Sequence, residues 1–212
     1  MGTMNLDIYR TILHRILFFE YPPGHILNEN LLAQEFGVSR TPLREVLNRL
    51  EWEQLVRIIP RTGTIVTEIE FRKMTQVFQI RLEIEDLAGR LAAQQVTEDH
   101  LRKIDRVRQE CENLAGHRSQ RALVDTDFKF RDILYDAANN PVLRDISQYL
   151  YHLTIRLSYI LFERGEWDEG VKASRDEYMQ VQEALARRDA VAAGSARREW
   201  LKIHIERIKS KF

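Results

Sequence analysis

Residues 31–50 of the chain read LLAQEFGVSRTPLREVLNRL, and this stretch decides the fold of the N-terminal part. Just before it, Asn28 suits an N-cap and predicts a short helix over residues 29–36. Gly37 is placed to end that helix, because glycine readily adopts the left-handed conformation that follows a helix. Ser39 predicts the cap of a second helix, which has a proline in its first turn. Two short helices joined by a glycine turn are typical of a helix-turn-helix unit.

The segments on either side of this unit complete a small domain. Apolar residues at helical spacing predict a first helix over residues 5–19, which ends before a Pro-Pro-Gly sequence. Downstream, residues 56–59 and 64–67 are two β-branched runs separated by a Pro-Arg-Thr-Gly sequence, which predicts a β-hairpin. A hairpin in this place makes the unit a winged helix. We therefore place one domain at residues 1–69 and a second at residues 70–212.

The N-terminal end of the second helix has the residue types that DNA reading requires. In a helix-turn-helix unit, this end meets base edges in the major groove. Arg40 and Arg44 lie four residues apart on one helical face, and arginine can pair bidentately with guanine. Ser39 and Thr41 can bind phosphate, and Arg61 lies at the hairpin tip. The alternative is a solvated arginine face, and it is less favoured because the cap, turn and hairpin all agree.

Residues 31–50 resemble the helix-turn-helix of the GntR family of bacterial transcriptional regulators, and residues 60–66 (PRTGTIV) are similar to that family's wing. Asn30 aligns with a position where some members have a DNA-contacting arginine, so we expect a different contact there. Gln54 aligns with a frequent glycine, so we expect an altered turn into the wing. The resemblance implies DNA contacts, and together with the residue pattern the predicted DNA-binding residues are Asn30, Ser39, Arg40, Thr41, Arg44, Arg49, Arg61, Thr62 and Gly63.

Composition excludes several classes of protein and leaves the DNA-binding prediction open. The 212 residues are 44% hydrophobic, which argues against disorder, and contain 32 Lys+Arg against 32 Asp+Glu. Residues 1–67 carry seven arginines and seven acidic residues, so this part of the chain has no net charge. We therefore expect the positive charge that binds DNA to be gathered on one face of the domain. We therefore expect modest affinity for random DNA. A single cysteine and the lack of a signal pattern predict a cytoplasmic protein. The sequence has no apolar run of about 18 residues, so we expect no membrane partner.

The second half of the chain is dominated by helical periodicity. We predict six helices, with limits near residues 120–138, 173–187 and 190–209 for three of them and Thr97 as the cap of another. A further helix begins at Pro141, and Gly165 and Gly170 predict a loop after it. The first helix has a predicted core stripe of Val77, Ile80, Ile84, Leu87 and Leu91. The predicted fold class is thus mainly α, with an N-terminal winged helix-turn-helix followed by an all-α helical bundle.

Two charged residues lie within the apolar face of the 120–138 helix. Asp127 and Arg131 are four residues apart on this face, and burying charge is costly unless it is paired. The pattern indicates either a structural salt bridge or a polar cavity that binds a ligand. We favour the cavity, because bundle cores commonly hold ligand sites.

This half resembles the FCD-type effector domain of the FadR subfamily, on residues 139–143 (NNPVL) and an alanine-rich stretch at 190–196. Many such domains bind a divalent metal through one Asp and three His. The resemblance implies that Asp127 matches the Asp and that Arg131, Tyr178 and Trp200 replace the three His. We therefore predict no metal site, and an arginine that supplies positive charge for an anionic ligand. Arg81 and Arg156 are each more often surface residues when taken singly, but as a group with the other residues they favour an anionic effector. The predicted effector pocket is Arg81, Asp127, Arg131, Arg156, Tyr178 and Trp200.

Other classes of function have weaker support. The sequence has no nucleophile elbow, phosphate loop or zinc signature, so we predict that the protein is not an enzyme. The alternatives are a metal-free enzyme that uses Asp127 with Tyr178, and an architectural DNA-binding protein without an effector. We expect a homodimer that binds a palindromic DNA operator and a small anionic organic effector. Repression is the commoner mode in the family that the chain resembles.

Overall fold

The computed structural model describes residues 3–163 and 167–210. The chain forms two compact units, Met1–Met74 and Thr75–Phe212. The described elements of the first unit follow the order helix, strand, helix, helix, strand, strand: α1 Thr3–Leu17, β1 Ile26–Leu27, α2 Glu29–Glu35, α3 Arg40–Trp52, β2 Val56–Ile59 and β3 Gly63–Val66. Leucines and isoleucines of α1 and α3, such as Ile12, Ile16, Leu43 and Leu47, are fully buried and form its core.

The local signals that predict the helix-turn-helix are confirmed. The Asn28 side chain accepts hydrogen bonds from the backbone N–H groups of Asn30 and Leu31, which caps α2. Gly37 has a φ of +63°, as expected for the residue that lets the chain leave α2. Ser39 is the N-cap residue of α3, although its hydroxyl bonds to no backbone N–H of that helix.

The wing is a small antiparallel sheet with the strand order β1-β3-β2. Its hairpin register runs from Val56 opposite Val66 to Ile59 opposite Gly63. The sequence does not predict β1, because a two-residue strand is too short to show alternation. Gln54, in the turn that leads to β2, has a φ of +60°, so it adopts the left-handed conformation that a glycine would take without strain.

The described residues of the second unit form a bundle of long helices. Their limits are α4 Phe71–Gln95, which begins in the first unit, α5 Glu98–Asn113, α6 Gln120–Ala138, α7 Pro141–Glu163, α8 Trp167–Ala186 and α9 Ala190–Lys209, with a short 3₁₀ turn at Leu114–Gly116. Asn139 ends α6 in the left-handed conformation, so the predicted break before Pro141 is confirmed. Among these described helices, none is long and apolar enough to cross a bilayer.

Two predictions about this unit are wrong. Gly170 lies inside α8 and is buried, and Gly165 lies outside the described residues. Packing of the buried face around Gly170 outweighs the cost of about 1 kcal/mol for a glycine in a helix. The predicted core stripe of α4 is also misplaced, because Ile80 is 52% exposed and Leu87 is 38% exposed. The face that is buried instead carries Arg81 and Glu85, whose charges are paired inside the bundle.

Two glycines allow α4 and α9 to cross closely. A Cβ atom added to Gly89 would lie 2.5 Å from the backbone oxygen of Ala193. A Cβ atom added to Gly194 would lie 2.5 Å from a carboxylate oxygen of Asp86. The backbones are therefore too close at this crossing for a larger residue on either helix.

Candidate functional site

The first candidate site is a groove formed by the start of α2, the N-terminal end of α3 and the wing. Its volume is about 370 Å³. The side chains of Arg40, Arg44 and Arg61 are exposed there. The residues that line the groove are Ile26, Leu27, Asn28, Glu29, Asn30, Arg40, Arg44, Ile58, Ile59, Pro60, Arg61, Thr62 and Gly63. The structure thus brings six predicted DNA-binding residues together, namely Asn30, Arg40, Arg44, Arg61, Thr62 and Gly63.

Glu29 positions one of the groove's arginines. Its carboxylate accepts a hydrogen bond of 3.1 Å from Nε of Arg44. The other Glu29 oxygen lies 3.4 Å from the hydroxyl of Thr64, a buried residue of β3. The Arg44 side chain remains 63% exposed, and its terminal nitrogens form no ion pair within the described part of the chain. The guanidinium is therefore oriented through Nε, while Nη1 and Nη2 can still bind a base or a phosphate.

The other predicted DNA-binding residues lie outside the lining of this groove. Ser39 and Thr41 are exposed at the N-terminal end of α3. Arg49 is two turns further along α3, where its Nε donates a 3.0 Å hydrogen bond to Glu53. Its guanidinium also lies 3.8 Å from the ring centroid of Tyr9, so Arg49 links α3 to α1. Glu29 was not predicted as a site residue, and only its position at the start of α2 could have indicated it.

The second candidate site is a cluster of buried charges in the bundle, centred on Glu85 of α4. This carboxylate accepts hydrogen bonds from Arg131 at 2.7 Å, from Arg197 at 2.5 Å and from Arg81 at 3.2 Å. Arg197 also pairs with Glu177 of α8. All five residues are at most 4% exposed. The cluster therefore joins α4, α6, α8 and α9 through charge-assisted hydrogen bonds.

Burial and the neighbouring arginines shift the pKa values of the two glutamates in this cluster in opposite directions. Burial tends to raise the pKa of Glu85, but the guanidinium groups of Arg131, Arg197 and Arg81 hold it well below its usual value. Burial raises the pKa of Glu177 to about 8, although Arg197 works in the opposite direction. The three arginines thus favour the ionised form of Glu85, whereas burial favours the protonated form of Glu177.

The predicted effector residues occupy different places in the bundle. Arg81 and Arg131 lie over the ring of Tyr151, at 5.2 and 4.1 Å from its centroid. The Tyr151 hydroxyl donates to Asp127. The predicted Asp127–Arg131 pair is therefore replaced by Asp127–Tyr151 and Arg131–Glu85 contacts, because α4 brings a closer carboxylate to Arg131.

The remaining predicted pocket residues divide between the core and a surface groove. Tyr178 is fully buried and stacks on Phe130 at 4.3 Å. Arg156 is 1% exposed on α7, and Arg81 is 4% exposed on α4, so neither is the surface residue that each position favours when taken singly. Both lie on the buried faces of their helices. Trp200 lines a groove between α8 and α9.

Sequence reasoning missed Glu85, Glu177 and Arg197. The spacing of Arg81, Glu85, Ala88 and Ala92 on α4 could have indicated a buried polar face, because alanines at these intervals are typical of close helix packing. No group of three or more potential metal ligands occurs within the described residues.

Comparisons with known proteins agree with this two-part arrangement. The model of the FCD domain family matches residues 76–206, and the model of the gntR family of bacterial regulatory proteins matches residues 5–66. The chain is 27% identical over 165 residues to the uncharacterized HTH-type transcriptional regulator YdhC of Bacillus subtilis, which covers 76% of this chain and 74% of the relative.

Two further relatives cover nearly the whole chain. The HTH-type transcriptional repressor RspR of Escherichia coli is 26% identical over 194 residues, which cover 91% of this chain and 83% of the relative. The solved structure of E. coli McbR/YncC has a TM-score of 0.89 at 22% identity and covers 100% of this chain and 99% of that one. The last similarity concerns the fold alone.

Proposed function

Because the chain belongs to the GntR family of bacterial transcription regulators and carries an FCD domain, we propose that it represses transcription from a palindromic operator and responds to a small anionic effector. It is a DNA-binding regulator and not an enzyme. Repression is supported by its similarity to RspR, which is named as a repressor. An operator of this kind lies in the bacterial cytoplasm, where we expect the protein to act.

The groove of the winged helix carries the proposal of sequence-specific binding. Arg40 and Arg44 lie on the helix that enters the major groove in this class of domain, and Arg61 lies on the wing. Arg44 is partly ordered by Glu29 before DNA binds, so less side-chain entropy is lost on binding. We propose that Arg40 and Arg44 read bases and that Arg61 and Thr62 contact the backbone or the minor groove.

A selection from random duplexes, followed by fluorescence anisotropy, tests this proposal. We expect a palindrome to be enriched and Arg44→Ala to weaken binding to it by about 1–3 kcal/mol, or roughly five- to 150-fold. The control is Arg10→Ala, which removes an exposed arginine of α1 that lies outside the groove. Equal losses in the two variants, or no enriched sequence, would contradict base reading by α3.

The effector proposal rests on the surplus of buried positive charge. Among the described residues of the cluster, three buried arginines (Arg81, Arg131 and Arg197) stand against two buried glutamates, one of which has a raised pKa. Nε of Arg81, Nη1 of Arg131 and Nε of Arg197 are buried and donate to no acceptor among the described residues. Buried donors normally have partners, and an anion would supply the acceptors. The effector class that this cluster fits is a small organic acid.

We propose that this arginine cluster takes the place of a metal in binding the effector, because Arg131 brings a fixed positive charge of its own. An anion that binds Nη1 of Arg131 attracts the guanidinium away from Glu85, which is bound through Nη2, and would loosen the tie between α6 and α4. Since α4 begins in the DNA-binding unit, a shift of this helix is a route by which effector binding changes DNA affinity. For this route to work, the effector must bind the arrangement with a shifted α4 and the arrangement with an unshifted α4 with different affinities.

Calorimetry with a panel of organic acids and acyl-CoA thioesters tests the anionic effector. We expect one class to bind and to change operator affinity, and Arg131→Lys to lower its affinity at least tenfold, because lysine keeps the charge but loses the guanidinium fork. Arg102→Lys changes an arginine on α5 that is 63% exposed and serves as the matched control. Binding that is unchanged in Arg131→Lys, or no binding by any anion, would overturn this part of the proposal.

A further inference from the structure

We propose that the groove between α8 and α9 is a second ligand site, which binds a small organic amine with an aromatic or other apolar body. The groove has a volume of about 350 Å³ and shares no lining residue with the DNA-binding groove. Its lining comes from one face of each helix: Glu169, Lys172, Ala173, Asp176, Glu177 and Gln180 of α8, and Glu199, Trp200, Ile203 and Arg207 of α9.

Glu177 provides the polar end of this site. It lines the groove, yet it is only 2% exposed. One of its oxygens accepts a hydrogen bond from Arg197, while Oε2 is buried and accepts none from the described residues. A buried acceptor without a donor is energetically unfavourable. A ligand N–H group in the groove would satisfy Oε2, and an ammonium group would also form an ion pair with it.

Trp200 provides a flat apolar wall. Its ring stacks on His204, with the centroids 5.0 Å apart and the planes 7° from parallel. His204 is in turn fixed by a 2.7 Å hydrogen bond to Ser158 of α7. Ile203, which is 52% exposed, extends the apolar surface. An aromatic ligand can stack on this wall, and the indole face also attracts a cation.

The charges around the groove favour a cation over an anion. Four acidic side chains, including Glu177, stand against two basic ones in the lining. Two of the carboxylates have partners on their own helices, because Asp176 pairs with Arg175 at 2.6 Å and Glu199 pairs with Lys202 at 3.2 Å. Oε2 of Glu177 is therefore a buried acceptor that a ligand can use without first breaking an existing ion pair.

The titration of Glu177 gives this site a pH dependence. The charged groups that face it are Arg197 of α9, Glu85 of α4, and Asp127 and Arg131 of α6. Since burial raises its pKa to about 8, Glu177 is mostly protonated at pH 7 and mostly ionised at pH 8.5. A primary alkylamine remains largely charged across this range, as lysine does with a pKa of about 10.4. Amine affinity should thus rise several-fold between these pH values.

Calorimetry on the full-length chain with 2-phenylethylamine, 2-phenylethanol and phenylacetate tests the proposal. We expect the amine to bind more tightly than the other two compounds, and to bind more tightly at pH 8.5 than at pH 7.0. Equal binding of amine and alcohol, preferential binding of phenylacetate, or no binding of the amine at either pH would overturn it.

Substitutions locate the binding at the groove. Trp200→Ala is expected to weaken amine binding about tenfold, and Glu177→Gln to remove its pH dependence. Glu177→Gln also weakens the pair with Arg197. Ala173→Phe is therefore an independent test, because it obstructs the groove and leaves that pair intact. The control is Met179→Ala, which changes an exposed residue of α8 outside the groove. An amine affinity that Trp200→Ala and Ala173→Phe both leave unchanged would contradict the assignment.

Discussion

At the scale of single residues, His204 is held neutral by its surroundings. It is 5% exposed, and its Nε2 lies 2.7 Å from the hydroxyl of Ser158. Burial lowers the pKa of His204 to about 3, and the positive charges of Arg207 and Arg81 contribute in the same direction. In the unfolded chain the ordinary value is about 6.5. The unfolded state therefore takes up a proton from pH 6.5 downwards, whereas the folded state does so only near pH 3.

This difference predicts a loss of stability in mild acid. The contribution of His204 is fully present above pH 6.5 and is lost as the pH falls toward 3. Between pH 7.5 and pH 5.0 the loss is about 2 kcal/mol, because stability falls by about 1.4 kcal/mol per pH unit below 6.5. The glutamine of His204→Gln can still bond to Ser158 but takes up no proton. Over this pH range we therefore expect its free energy of unfolding to fall by about 2 kcal/mol less than that of the parent protein.

Urea denaturation at several pH values, followed by circular dichroism, measures this effect. His117→Gln is the matched control, because it makes the same substitution at a histidine that is exposed. Parallel pH profiles for the parent and His204→Gln would show that His204 is not held neutral in the folded state.

The residue scale is also where sequence reasoning is weakest for the bundle. A hydrophobic stripe on α4 was predicted through Ile80 and Leu87, and the buried face instead runs through Arg81 and Glu85. Hydrophobicity alone cannot rank a charged residue as buried, because its burial depends on partners from other helices. Arg131 and Arg197 lie 46 and 112 residues further along the chain, so no local pattern reveals the cluster.

At the scale of elements, the limits of helices follow from local chemistry and were largely predictable. Asn28 and Thr97 cap their helices through side-chain oxygens, and Asn139 ends α6 in the left-handed conformation. The predicted limits 120–138 and 190–209 agree with α6 and α9. The start of α8 was not predictable, because the burial of Gly170 depends on the neighbouring helices and not on its own propensity.

The crossing of α4 and α9 gives a prediction at this scale. Gly89→Ala raises helix propensity by about 1 kcal/mol, yet its Cβ atom would lie 2.5 Å from a backbone oxygen of Ala193. Backbone cannot move aside as a flexible side chain can, so the helices must separate. We expect a net destabilisation of about 1–3 kcal/mol, which chemical denaturation would measure.

Gly116→Ala is the control for this experiment, because nothing lies within 4 Å of a Cβ atom added there. It is expected to change the free energy of unfolding by less than about 0.5 kcal/mol. A Gly89→Ala protein as stable as the parent would mean that the two helices can separate at little cost.

At the scale of the whole molecule, the exposed apolar face of α4 bears on the proposed homodimer. Ile80 and Leu87 are exposed, and Ile84 and Leu91 between and beyond them are half-buried. Spacings of four, three and four residues place all four side chains along one face. Exposed apolar patches on soluble proteins often mark interaction sites. A palindromic operator requires two recognition helices related by a two-fold axis, so a second copy of the chain is the partner we propose for this face.

The Ile80→Glu/Leu87→Glu double variant tests this arrangement. Two new carboxylates on each copy would meet across a two-fold interface, and we expect the protein to run as a monomer in size-exclusion chromatography with light scattering. The control, Val142→Glu/Val191→Glu, adds the same charge at two exposed apolar residues of α7 and α9 and should remain a dimer. A monomer binds only one half-site. Operator affinity should therefore fall when dimerisation is lost, even though the DNA-binding groove is intact. A double variant that stays dimeric, or a monomer with unchanged operator affinity, would exclude this face as the interface that aligns the two winged helices.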